Sequence, residues 1–490
     1  MPQNILQILI NEIQNDHSVE NLVSKLKVEK DYYEPEQDRQ WYEGHHDITR
    51  RSPKLVERTR DDGKKEQVQV EMNKLVFNYP QKIVETAIAF LFGEEATIER
   101  TGEIEDDQLY TDFSKVWQNV RMDFILEEAV RDCMVETKSA ILFYMTKDEE
   151  DNAFNHLEND TYNFNLRAKV LSYNKGDQIY SHFDSNGRMD AFIRTYKVPD
   201  YERNQYTMDE PEQIERTEIY TSTMKYVVEK RYNGVTQYQE ENPIGKIPVV
   251  YFDKKYPEWY GVKSLVDRLE WLNSKHADSN DYFAFPALVV KGEVKNLPSK
   301  NEVGKLYTVK GQKRNDGSVD YSGGVDTLTW EQSPQSLKDE YDKLVESIYL
   351  LTHTPDISFN NLKNIGNVSG IALRLMFLDP IVKARNNKRL YGDKIDRAIS
   401  LVKEFTTKVI KPSQRDTLRE MPIGYRFDNI IPTSEADLID NLTTSVGNNP
   451  IMSQRTAVEK HPLVDDAEEE MNRIKEEESQ NQGGSPLQGG

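Results

Sequence analysis

Cysteine is almost absent from the 490 residues: Cys133 stands alone, which excludes an intrachain disulfide framework and a cysteine-rich zinc site. Non-covalent packing must therefore supply the stability. No apolar run approaches the ~18 to 20 residues that a membrane-crossing helix needs. The longest candidate, Thr86 to Phe92, lies among charged residues, so a membrane span is not expected. No basic stretch followed by an apolar one comes after Met1, and the chain is expected to stay in the cytosol where it is made. Cation excess is lacking too, with 63 Lys and Arg against 84 Asp and Glu and a formal charge of −21.

Chemistry-bearing motifs are also missing. The sequence contains no GxxxxGK followed by Ser or Thr, no GxGxxG and no HExxH, so catalytic residues, cofactor sites and metal ligands are all expected to be none. His45 and His46 are adjacent in a polar segment, where neighbouring side chains point to opposite faces; the expectation is a pair of surface histidines. Acidic clusters at Asp465–Asp466, Glu468–Glu470 and Glu476–Glu478 suggest an alternative, a metal-dependent nuclease. On a helix, however, these carboxylates lie all round the surface rather than converging, which favours a charged interaction face.

Hydrophobic residues make up 37% and aromatics 10%, enough to bury a core across two to four domains of ~100 to 200 residues. The first 72 residues, rich in Glu, Lys, Asp and Tyr, read as a peripheral helical arm. Ile83, Val84, Ala87, Ile88 and Leu91 form one stripe of a helix over 80–92, with Gly93 placed as its stop. Residues 109–136 fit a second amphipathic helix, and 139–144 a strand. From 166 to 252, short β-prone runs separated by turns such as Asp184 to Gly187 predict hairpin-linked antiparallel strands. A helix follows from 262 to 283, then a small sheet with an Asn315-Asp316-Gly317 turn, then a helix opening at Ser333-Pro334.

Residues 354–370, crowded with asparagine and glycine, read as a long loop. A helix from about 369 to 410 is expected to bend near Pro380. Residues 371–411 hold ten Lys or Arg against four Asp or Glu, a local +6 in an acidic chain. Arg374, Lys383, Arg385, Lys388 and Arg389, with Lys394 and Arg397 beyond, have two readings: ion pairing between subunits or contact with DNA phosphates. Two more helices are expected within 434–475, the second starting near Ser453, and 480–490 should be disordered.

This order of parts resembles the portal proteins of tailed double-stranded-DNA bacteriophages, of the siphophage type divided into wing, stem, clip and crown. Four stretches carry the resemblance: Asn73–Thr86 running on to Gly93; Gly245–Phe252 followed by Val262–Asp267; Pro355–Asn360 with Asn367–Leu373; and Met452–Thr456 with Val464–Glu470. The acidic stretch Lys147–Asp160 and Pro380 depart from the simplest family pattern.

The resemblance implies an α+β portal fold, mainly helical with a β-rich wing and a small α/β clip, closed into a cyclic ring of twelve. Its divisions would be an arm (1–72), wing (73–261), first stem helix (262–286), clip (287–332), second stem helix (333–353), tunnel loop (354–370), bent helix returning to the wing (371–432), crown (433–478) and tail (479–490). It implies a virion protein at one capsid vertex, made in the host bacterial cytoplasm, that is channel rather than enzyme. The implied partners are other copies of itself, double-stranded DNA held transiently and without sequence preference, the terminase large subunit docking on the clip, the major capsid and scaffolding proteins, and a head-completion adaptor. It also implies that the portal nucleates procapsid assembly. On this reading Asn360, Asn361, Lys363, Asn364 and Asn367 belong to the tunnel loop, with Lys363 facing the channel, and Lys263, Asp267, Glu270 and Asp278 put the polar face of the first stem helix toward it.

Overall fold

The computed structural model describes residues 33–59, 64–93, 96–102, 107–147, 164–200, 213–231, 234–283, 287–291, 293–295, 308–310, 312–313, 319–320, 324–328, 334–356, 375, 377–409, 415–427, 435–447, 450–461, 463–464 and 466–482. They belong to two compact units, the first formed by 1–88, 97–354 and 389–426, the second by 89–96, 355–388 and 427–490.

The first unit opens with helix α1 (Pro35–Tyr42), which carries proline in its first turn, where the missing N–H costs no hydrogen bond. Trp41 at its end is buried. The expected helical arm thus contains part of a core, and it also contains sheet: β1 (Lys54–Thr59) and β2 (Lys65–Val70) pair as an antiparallel hairpin. Next comes α2 (Tyr79–Phe92), whose stripe of Ile83, Val84, Ala87, Ile88 and Leu91 is buried as its spacing predicts, and Gly93 follows at φ 66°.

Strand β3 (Thr97–Arg100) leads to α3 (Asp107–Val120) and α4 (Met122–Glu136). The single helix expected over 109–136 is in fact two. Arg121 breaks it in the left-handed region at φ 57° and ψ 46°, with no glycine or proline to announce the break. Trp117 Nε1 donates to Asp123 Oδ1 across it at 2.9 Å.

The strand at 139–144 extends to β4 (Lys138–Lys147), and the hairpin-linked strands follow: β5 (Phe164–Leu171), β6 (Gln178–Phe183), β7 (Met189–Pro199), β8 (Gln213–Tyr220), β9 (Met224–Arg231), β10 (Gly234–Glu241) and β11 (Val249–Asp253). They form two antiparallel sheets, ordered β11-β4-β5 and β10-β9-β8-β7-β6. Leu142, Leu171, Phe192, Tyr220, Val249 and Tyr251 make one apolar cluster shared by both. The Asp184–Gly187 turn forms as read: Asp184 Oδ1 accepts from the amides of Asn186 and Arg188, and Gly187 takes φ 73°.

Helix α5 (Lys263–Phe283) packs against α6 (Pro334–Thr352), both within the bounds expected for them. Between them, β12 (Ala287–Lys291), β13 (Glu293–Lys295), β14 (Thr308–Lys310), β15 (Gln312–Lys313), β16 (Val319–Asp320) and β17 (Gly324–Leu328) pair in nested fashion, β12 with β17, β13 with β14 and β15 with β16. The turn at 315–317, the loop at 357–370 and the acidic stretch 148–160 lie outside the described residues.

Helix α7 (Leu378–Val409) does not carry Pro380 mid-helix. The proline sits in its first turn, where it removes no intrahelical bond, so the reason for a bend there disappears. Helix α8 (Arg415–Glu420) then leads to β18 (Ile423–Arg426), which returns to pair with β3.

In the second unit Phe90, Phe377 and Ala384 cluster with Ile381. Where two C-terminal helices were expected there are three: α9 (Glu435–Val446), α10 (Gln454–Glu459) and α11 (Ala467–Gln482). Ser453 caps α10, its Oγ accepting from the Thr456 amide at 3.2 Å, as the sequence reading placed it. Helix α11 extends through Gln482, into the segment expected to be disordered; residues 483–490 lie outside the described ones.

The break at Arg121 is open to test. Arg121→Gly should leave stability unchanged or raise it by up to about 1 kcal/mol, because glycine takes the left-handed region without strain. In an unbroken helix it would cost about 1 kcal/mol; urea unfolding distinguishes the two.

Candidate functional site

The polar face expected to line a channel is occupied within the subunit. Residues 71–78 run along α5 without regular secondary structure, and every second amide is received by that helix. Asn73 N donates to Asp278 Oδ1 at 2.7 Å, Leu75 N to Ser274 Oγ at 2.9 Å and Phe77 N to Glu270 Oε1 at 2.9 Å. Acceptors four residues apart on a helix rise by ~6 Å, close to the ~6.6 Å between alternate residues of an extended chain. The two periods match, which is why three successive turns of α5 each take one amide.

Of the expected channel positions, Glu270 is the one that the subunit itself buries. Glu270 is fully buried and pairs with His46, Nδ1 to Oε1 at 2.5 Å; Asp278 is bound to Arg51 at 2.7 Å as well as to Asn73. Glu270 therefore offers no surface to a channel, whereas the Asp278 side chain stays partly exposed. Lys263 lies over the Trp41 ring at 4.6 Å. Asp267 is half-buried, and burial, with Asp47 and Glu270 nearby, raises its carboxyl above the ordinary value.

His46 corrects a further expectation. His45 is exposed, but His46 has no exposed surface, because the alternation that sends one outward sends the other inward. Its ring stacks on Trp41 with centroids 4.4 Å apart, and Nε2 meets the Trp41 carbonyl at 2.8 Å. The sequence signal was available: a histidine five residues after a tryptophan in a polar stretch, with a lone glutamate on an otherwise apolar helix face.

A second clamp holds α1 to α4. Arg39 donates Nε and Nη2 to Glu136 Oε1 at 2.7 and 2.5 Å and Nη2 to Asp132 at 2.8 Å, while the Tyr173 and Asn174 amides also donate to Glu136. Burial pushes the Glu136 carboxyl up to about 7, against the lowering pull of Arg39.

The basic helix spends its cations inside the subunit along its C-terminal half. Arg397 donates to the carbonyls of Val249 and Ile247 at 2.9 and 3.1 Å, Lys394 pairs with Asp253 at 3.2 Å and Lys403 donates to the Met421 carbonyl at 2.6 Å. Glu404 gathers Lys246, Arg415 and Arg419. Burial opposes its ionisation, but the hydrogen bonds from Lys246 and Arg419 outweigh it and hold the carboxyl below the usual range. Neither intersubunit pairing nor DNA contact describes Lys394 or Arg397. Lys388 lies over the Phe427 ring at 5.2 Å, and Lys383 is half-buried. Arg385 and Arg389 are exposed, with no ion pair among the described residues; Arg374 and the expected tunnel-loop residues Asn360, Asn361, Lys363, Asn364 and Asn367 lie outside them.

The C-terminal carboxylates do not converge. Asp466 Oδ1 caps α11, accepting from the Glu468 and Glu469 amides, and Glu469 pairs with Arg473 at 2.6 Å. Among the described residues no three His, Cys, Asp or Glu side chains are grouped to hold a metal ion. Cys133 is buried, and burial pushes its thiol up to about 12. No helix among the described residues is long and apolar enough to cross a membrane.

Two substitutions test these clamps. His46→Ala takes the ring partner from a buried Glu270 and opens a cavity beside Trp41, and should cost about 3 kcal/mol or more in urea unfolding. Glu136 binds its proton more readily folded than unfolded, so the stability it contributes is full below its ordinary range and is lost as pH rises through about 7. Glu136→Gln should therefore shrink the difference in Tm between about pH 5 and about pH 8; an unchanged difference removes the assignment.

Residues 24–484 match the family described as phage portal protein, SPP1 Gp6-like. A protein described as "Portal protein", from Bacillus phage SPP1, is 26% identical over 289 residues, covering 55% of each chain, so the match spans about half the length of that relative. Among solved structures, one titled "Neck of empty GTA particle computed with C6 symmetry" covers 77% of this chain and 86% of its own at 8% identity and a TM-score of 0.39.

Proposed function

The chain belongs to the phage portal protein family, SPP1 Gp6-like, and from that premise we propose that it forms a ring of twelve at one capsid vertex, through which the genome is packaged and later leaves. The observation that carries this is the family match over 24–484, nearly the whole chain. The portal is a structural part of the virion and a head-to-tail connector, with no reaction of its own. Its stem is α5 and α6, its clip the nested strands between them and its crown α9 to α11. The clip is the docking site for a terminase large subunit that supplies the energy; capsid, scaffolding and head-completion proteins meet the other faces during assembly.

The charge of the chain suits this task. DNA binding strengthens with every phosphate neutralised, and a ring repeats every contact. Twelve copies at −21 carry −252, so a sliding duplex is held off rather than gripped. Arg397, Lys403 and Lys394, bound within the subunit, are withdrawn from such contacts. Lys363 is left as the channel-facing cation of the tunnel loop.

Negative-stain images and a mass measurement test the reading: twelve subunits of 57.0 kDa give a ring of about 0.7 MDa. A lone subunit under assembling conditions, or magnesium-dependent cleavage of DNA, overturns it. Lys363→Ala should leave rings intact while lowering the DNA packaged or altering its retention; heads filled and held as in the wild type would remove Lys363 from the channel.

A further inference from the structure

Two exposed stripes on the α5–α6 pair have the same spacing and opposite charge. On α5, Arg268, Trp271 and Lys275 stand at i, i+3 and i+7, all exposed; on α6, Asp339, Asp342 and Glu346 stand at i, i+3 and i+7, all exposed. Each spans seven residues of helix, about 10 Å. The α6 stripe lies opposite Ile348, which is buried.

Each stripe is only partly neutralised within its own subunit. Lys275, Asp342 and Glu346 have no ion pair among the described residues. Arg268 reaches Glu340, just beside the acidic row, at 2.7 Å, and Asp339 accepts only a hydrogen bond from Gln335. Two cations lie over the half-exposed Trp271 indole, Arg51 at 4.7 Å and Lys275 at 4.5 Å, and fix it in place. Beside the acidic stripe runs an open groove of about 670 Å³ lined by Gln335, Asp339, Glu340, Lys343 and Leu344, large enough for an indole.

We propose that these stripes are the two halves of a head-to-tail contact, the α5 stripe of one subunit docking on the α6 stripe of the next copy with Trp271 entering the groove. The inference rests on the ring reading above and names the surface that closes the ring. Two different patches that complement each other across a rotation generate closed rings. Subunits of −21 repel one another, and a matched contact of this kind overcomes that repulsion at one place while fixing register along the stem. DNA phosphates are the less favoured occupant of the α5 stripe, because they leave the identically spaced acidic row on α6 without a role.

The test uses the full chain and reads the fraction assembled into rings by mass photometry, at low and high salt. Lys275→Glu and the pair Asp342→Lys with Glu346→Lys should each lower the ring fraction by about tenfold or more at low salt, since a modest loss at each interface is multiplied around the ring. Combining the two sets should restore it to within about twofold. The deficit of either reversed chain should shrink at high salt, where exposed charges are screened and like-charge repulsion between the stripes fades. Far-UV circular dichroism checks folding, and the rescue by the combined variant is a result that misfolding cannot imitate. Rings that form as in the wild type from either reversed chain, or a combined variant no better than its worse parent, overturn the proposal. So do normal Lys275→Glu rings in heads that package less DNA, which would make the stripe a DNA contact. A wild type that never forms rings overturns the ring reading and this inference with it, whereas wild-type rings with indifferent variants overturn the docking alone.

Discussion

One face of α5 works as a polar rail, and the first unit is organised around it. Glu270, Ser274 and Asp278 accept alternate amides of 73–77, so a segment without regular structure satisfies backbone donors on side chains instead of a neighbouring strand. The rail needs the coincidence of two repeats, four residues of helix against two of extended chain. Arg51 and His46 then bond to two of the same side chains, tying the start of the hairpin and the α1 region to one helix. Removing Asp278 would strand both a backbone donor and the Arg51 guanidinium, and removing Glu270 a backbone donor and the His46 ring, which concentrates the cost in very few residues.

Most of the framework was readable because it rests on periodicity. The apolar stripes of α2, α5 and α6 and the hairpins of 166–252 declare themselves by spacing, and the proline and glycine at their ends mark the stops. Conformations that oppose local preference were not readable: Arg121 adopts a left-handed geometry although arginine is a good helix former, so tertiary packing around Trp117 and Asp123 overrode propensity there. Pro380 misled for the opposite reason, since the same residue that breaks a helix interior begins a helix well.

The candidate site was legible in composition but not in placement. A polar face on α5 was visible; that Glu270 and Asp278 face residues some two hundred positions earlier was not, because nothing local records a long-range partner. The same holds for Arg397, whose charge suggested an outward role while its geometry serves two strand carbonyls. Isolated cations in a basic helix report only charge, whereas matched periods such as 268, 271, 275 and 339, 342, 346 report charge together with position.

The sealed position of Cys133 has a practical side. A thiolate is the reactive species toward maleimides and disulfide reagents, and a thiol held this far from ionisation inside a packed helix stays silent to both. The wild-type background is therefore blank for chemical labelling. A cysteine introduced on any outer surface would be the one site that takes a fluorophore or spin probe, which opens the chain to distance measurements from a position of choice.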